Sequence, residues 1–125
     1  MKHLHLKTSI FAVLSIGLIY GIAPNKTLPI LFDFSVMTTD LKNIFRAIMG
    51  LYSGMVVFWF IGIKQPKFWE AATITNICFM SGLAVGRLFS FFIDGKPSIY
   101  FIAGFIFELF FACWGISNLR NQMNK

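Results

Sequence analysis

The chain has 125 residues, of which 57% are hydrophobic and 13% charged, and its mean hydropathy is +0.72. That apolar share exceeds the ~45–50% of soluble domains by more than a small core could conceal, so an ordinary water-soluble domain is excluded and an integral membrane protein is implied. The net charge of +6 does not indicate nucleic acid, because the basic residues form no stripe on one element and do not alternate with stacking aromatics; they stand at the ends of apolar runs.

In chain order, Lys2, His3, His5 and Lys7 precede an apolar run from Thr8 to Ala23. The run resembles a signal peptide, but its small-residue site, Gly21-Ile22-Ala23, is followed by Pro24, and the expectation is a retained first helix at about 8–23. His3 and His5 precede this span and are poor candidates for catalysis or metal binding. In the connection from Pro24 to Thr39, LPILFDFSVM is too apolar for a solvated loop and too short to span, so it is expected to lie along the interface or fold over the bundle.

Thr38-Thr39-Asp40 supplies helix caps for a second helix at 40–62. The basic turn Lys64-Gln65-Pro66-Lys67 leads to a third helix at 68–92. Asp94-Gly95-Lys96-Pro97 then turns the chain into a fourth at 98–119, with Pro97 near its first position. The expected fold is all-α: a four-transmembrane-helix bundle with antiparallel neighbours, forming a single membrane domain over 1–125. Lys2, Lys7, Lys64, Lys67, Arg120 and Lys125 fall on one side and Lys26, Lys42, Arg46 and Lys96 on the other, which predicts that both termini are cytoplasmic. Trp59, Trp69 and Trp114 then lie near the inner ends of their helices, as an aromatic belt requires.

Small residues recur four apart at Gly17/Gly21, Gly50/Gly54 and Gly82/Gly86/Ser90, the spacing that lets helix backbones approach in lipid. These faces predict a close-packed bundle and offer contacts for a homodimer. GLIYG in the first helix and GLAVG in the third echo each other, an internal similarity that chance explains best. Cys78 and Cys113 lie in apolar runs with no CxxC spacing and read as small hydrophobes; no metal-ligand cluster and no cofactor motif is present.

Two ionisable residues interrupt the apolar runs. Charges in hydrocarbon cost roughly 2.5–3.5 kcal/mol each on insertion scales, so Arg87 and Glu108 must face a partner, a cavity or water. Their helices run in opposite directions and side chains lean toward the helix N-terminus, so Arg87 leans inward, Glu108 leans outward, and an ion pair is within reach. Asn76 shares the Arg87 face and Asp94 extends it; Asp40, Asn43 and Arg46 step by three along the second helix; Gly104, Ala112 and Gly115 flank Glu108. The candidate ligand-binding set is therefore Asp40, Asn43, Arg46, Asn76, Arg87, Asp94 and Glu108, opening to the outer side. The bland alternatives are a register-fixing pair for Arg87 and Glu108, boundary residues reaching water for Arg46 and Asp94, and a helix-to-helix hydrogen bond for Asn76.

At these residues a resemblance enters. Asn43-Ile44-Phe45-Arg46-Ala47 with Gly50 and Gly54, then Gly86-Arg87-Leu88-Phe89-Ser90, Asp94-Gly95-Lys96-Pro97 and Glu108 resemble the bacterial four-helix membrane family called domain of unknown function forty-three forty-five, over nearly the whole chain. The resemblance implies a small four-span protein of the bacterial cytoplasmic (inner) membrane and no defined activity.

Three functions compete. In the first, a membrane lipid or small amphiphile binds in the outer pocket, held by Arg46 and Arg87, with Asp94 and Glu108 orienting the guanidinium groups and Phe89, Phe91, Phe105 and Phe107 as walls; an anionic guest is favoured only if Glu108 is protonated or turned away. In the second, Glu108 exchanges protons in a small transporter, which an adjacent arginine disfavours. In the third, Glu108 or Asp94 acts as acid or base on a lipid-soluble substrate, but Ser81, Ser90 and Cys113 lack a histidine partner and no catalytic residue is identified.

Overall fold

Long apolar runs free of proline become helices because a bilayer offers no partner for unpaired backbone groups. In a computed structural model describing residues 1–125, these are α1 (Leu4–Gly21), α2 (Pro24–Leu31), α3 (Thr39–Lys64), α4 (Trp69–Asp94) and α5 (Ile99–Met123), with a 3-10 turn at Pro66–Phe68 before α4. The architecture is all-α, and four helices are long and apolar enough to cross a membrane. Large side chains such as Phe11, Val85, Phe92 and Ile106 point outward, an apolar exterior that suits lipid and not water.

Helix α1 packs chiefly on α3, α4 on α5, and α3 on α4, so each long helix lies against an antiparallel neighbour. The buried centre is built from Leu6, Val13, Tyr52, Trp59, Met80 and Phe111. Thr38 caps α3 by accepting the Leu41 N–H at 3.2 Å. Gly95, with φ of +97°, ends α4 in a conformation that side-chain-bearing residues avoid. Ser98 is the cap residue of α5, which leaves Pro97 outside the helix, not in its first turn.

Four features differ from the sequence expectation. First, α1 begins at Leu4, not near Thr8, so His5 lies inside the bundle; it is fully buried. Its Nε2 lies 3.1 Å from the Phe111 carbonyl. Because a carbonyl only accepts, Nε2 carries the hydrogen. The ring rests on Gly115, where an added Cβ would stand 2.9 Å from His5 Cε1 and 2.7 Å from Ile77 Cγ1.

Second, the connection after α1 contains a helix, α2, started by Pro24 and tied to α1 by the Thr27 hydroxyl, which donates to the Ile19 carbonyl at 2.7 Å. Leu28 and Val36 are buried, and Phe32 stacks on Phe101 of α5 with centroids 4.6 Å apart and planes 17° from parallel. These contacts fold the segment over the bundle.

Third, the glycine pairs are not equivalent. Gly17 lies against Tyr52 and Gly21 against Met49, which lets α1 approach α3, but nothing comes within 4 Å of a Cβ placed on Gly50, Gly54, Gly82 or Gly86. An approach as tight as that at Gly21 occurs at Gly62, which carries no repeat: an added Cβ there would meet the Ala72 methyl and stand 3.2 Å from the Phe68 carbonyl.

Fourth, Arg46 extends along α1. Its Nη1 donates to the carbonyls of Gly21 and Ile22 at 3.1 and 3.3 Å. Those carbonyls are among the last of a helix and lack intrahelical donors, so a cation there satisfies both the hydrogen-bond deficit and the negative end of the dipole.

Candidate functional site

The Arg87 and Glu108 side chains meet. With α4 ending at Asp94 and α5 starting at Ile99, Arg87 sits ~10 Å and Glu108 ~14 Å below the shared end of the hairpin, at ~1.5 Å per residue. The opposed lean of the two side chains closes that difference, and Arg87 Nε donates to both carboxylate oxygens at 2.9 Å. Glu108 is only 4% exposed, so its charge depends on this pair. The guanidinium lies across Gly104, with Nη2 3.6 Å from where a Cβ would be, and its Cζ stands 5.4 Å from the centroid of Phe101. Phe101 thus contacts both Arg87 and Phe32. A cation over an aromatic face is favourable, by ~2 kcal/mol where water is excluded.

Three cavities converge on this point, and Arg87 and Phe101 line all of them. An inner one of about 160 Å³ reaches between all four long helices, past Val13, Tyr20, Tyr52, Met80 and Phe107, to Glu108. A second, about 240 Å³, lies between α4 and α5 beside Leu88, Phe91, Pro97 and Phe105. The third is an open groove of about 610 Å³ between the upper halves of α3 and α4, passing Ile48, Leu51, Gly82, Gly86 and Ser90. The open glycine faces of α4 form part of that groove. The arrangement combines a neutralised ion pair, hydrogen-bond donors on the guanidinium, and mostly apolar walls.

The other candidate residues divide. Asp94 is exposed and accepts from the Ser90 hydroxyl at 2.7 Å, one turn along its own helix. Asp40 and Asn43 are exposed on the first turns of α3. Arg46 is engaged by the end of α1 and lines none of the three cavities. Asn76 is fully buried and lies eleven residues from Arg87, ~16 Å along α4. It belongs to a second polar layer with His5, Ser9 and Thr73, in which the Asn76 amide and the Ser9 hydroxyl have no protein partner. The polar residues therefore form two groups, and only Arg87 and Glu108 make the upper one.

Of the expected phenylalanine walls, Phe91, Phe105 and Phe107 line cavities, whereas Phe89 is 67% exposed and lines none of them. Sequence reasoning missed Phe101, Tyr20, Tyr52 and Phe32. The available signal was Gly104, whose open backbone admits the guanidinium and sets Phe101 three residues earlier on the same face.

No curated protein and no solved structure matches the chain. Residues 1–118 match the family described as Domain of unknown function (DUF4345), and the chain belongs to that family.

Proposed function

We propose that this four-helix membrane protein binds a lipid or small amphiphilic molecule in the pocket around Arg87 and Glu108. The observation carrying this reading is the convergence of three apolar-walled cavities on one guanidinium whose charge is already compensated. For the inner cavity between the four long helices, a structural ion pair alone would not need that space, since protein interiors close-pack around groups that serve only to fix register. The groove between α3 and α4 provides a side entrance from lipid for a chain-like molecule.

The basic residues support an orientation with both termini cytoplasmic. Lys2, Lys7, Lys64, Lys67, Arg120 and Lys125 lie at the end that holds the termini, and Lys26, Lys42, Arg46 and Lys96 toward the other. On that orientation the pocket opens toward the outer face of the bacterial cytoplasmic membrane. A proton-coupled exporter is less well supported, because both oxygens of Glu108 already accept from Arg87 and the site holds no free carboxylate for a cation.

Native mass spectrometry of the gently extracted protein tests the proposal. A small apolar molecule is expected to co-purify at about one per pocket and to be depleted in Arg87→Ala; equal retention in that variant would refute it.

A further inference from the structure

Around Arg87 the charges balance before any guest arrives. Nε serves both oxygens of Glu108, neither Nη1 nor Nη2 forms a hydrogen bond to that carboxylate, and Nη2 lies over Gly104 at the meeting of the cavities, with Tyr20 beside the guanidinium. No second cation shares the space: Arg46 is committed to the carbonyls of Gly21 and Ile22, and Lys96 is exposed on the turn. The tyrosines Tyr20, Tyr52 and Tyr100 are the other polar-tipped side chains lining the inner cavity.

A carboxylate or phosphate head would bring a net negative charge into this space, because Glu108 has already neutralised Arg87, and an uncompensated charge among phenylalanines is strongly disfavoured. An ammonium head would be repelled by Arg87 and find the carboxylate occupied. A carbonyl or ester oxygen instead accepts from the Nη groups that Glu108 leaves free, adds no charge and leaves its apolar body to the Phe-lined walls.

We infer that the guest is a neutral apolar molecule whose head presents hydrogen-bond acceptors, and that Glu108 is the residue that imposes this choice. The inference rests on the binding reading above and adds the chemical class of the guest. Its sharpest consequence concerns the isosteric change Glu108→Gln: an amide in place of the carboxylate leaves Arg87 uncompensated, so the preferred head becomes an anion.

The test uses the full chain in one detergent with three probes of equal chain length: a fatty acid methyl ester, the corresponding fatty acid carboxylate and an alkyltrimethylammonium, titrated by native mass spectrometry. Wild type is expected to bind the ester at least tenfold more tightly than either ion, and Glu108→Gln to prefer the carboxylate by a similar factor. A wild-type preference for an ion overturns the inference with no variant needed, so it stays testable even if Glu108→Gln fails to fold. An unchanged order in a folded Glu108→Gln overturns the role given to Glu108. Gly104→Leu separates the two levels. It fills the space beside the guanidinium, and undiminished ester binding there would place the guest elsewhere and refute the pocket reading itself, as would failure of all three probes to bind wild type.

Discussion

Arg87 meets Glu108 through its inner nitrogen: Nε stands 2.9 Å from both carboxylate oxygens, and neither Nη forms a hydrogen bond to them. An arginine used only as a structural counter-ion commonly presents two nitrogens to two oxygens. The side-on geometry here satisfies the carboxylate and leaves donors beside Gly104 for something else.

Single and double substitutions separate the stabilising share of this pair from its binding share. Arg87→Met strands the buried carboxylate and is expected to destabilise by about 3–5 kcal/mol, whereas Arg87→Met with Glu108→Met restores stability to within about 1 kcal/mol. Thermal unfolding in detergent measures this. The double variant should nonetheless lose the co-purifying molecule; retention would reduce the pair to a register-fixing device.

The stack of Phe32 on Phe101 holds the segment after α2 over the pocket. Phe32→Ala is expected to cost about 1 kcal/mol of stability. It should also speed dissociation of a bound guest several-fold, read as shortened retention during detergent exchange, while Phe32→Leu recovers part of the effect. Unchanged retention in Phe32→Ala would show that this segment does not cover the site.

Two helix glycines, one outside the small-residue repeats and one within them, are expected to respond oppositely to a methyl group. A methyl group on Gly62 meets Ala72 and the Phe68 backbone, so Gly62→Ala should destabilise by about 1–3 kcal/mol. Gly82→Ala meets nothing within 4 Å. It should match or exceed wild type by up to about 1 kcal/mol, since alanine is the better helix former. Melting temperatures of the two variants side by side decide the matter, and a fall for Gly82→Ala would mean that a neighbour outside the chain occupies that face.

Arg46 acts as a cap for α1. Arg46→Ala is expected to lower stability by about 1 kcal/mol, given the partial exposure of its bonds, and to increase hydrogen exchange at the end of α1. Arg46→Lys should recover part of the loss. Protection unchanged from wild type in Arg46→Ala would remove this role.

Hydropathy made the four long helices legible, and helix direction made the Arg87–Glu108 contact legible. Hydropathy could not reveal which face of each helix turns inward, because lipid tails and a membrane protein core are equally apolar. Phe89 and Phe101 look alike in sequence, yet one lies against the exterior and the other against Arg87. His5 was misplaced for the opposite reason: a polar residue close to the start of the chain suggests solvent, and only a carbonyl contributed by α5 makes its burial tolerable. Arg46 shares its helix with Asn43 and Asp40, but its reach was set by the end of α1, a neighbour that spacing within one helix does not disclose.

Only four residues, Gly95 to Ser98, separate α4 from α5. That short tether bears on how the protein is made. Arg87 emerges from the ribosome before Glu108, and a lone arginine entering hydrocarbon carries a penalty of roughly 2.5–3.5 kcal/mol that its partner removes. Biogenesis therefore favours co-insertion of the closing helical hairpin, with the pocket completed in the same event that neutralises its arginine.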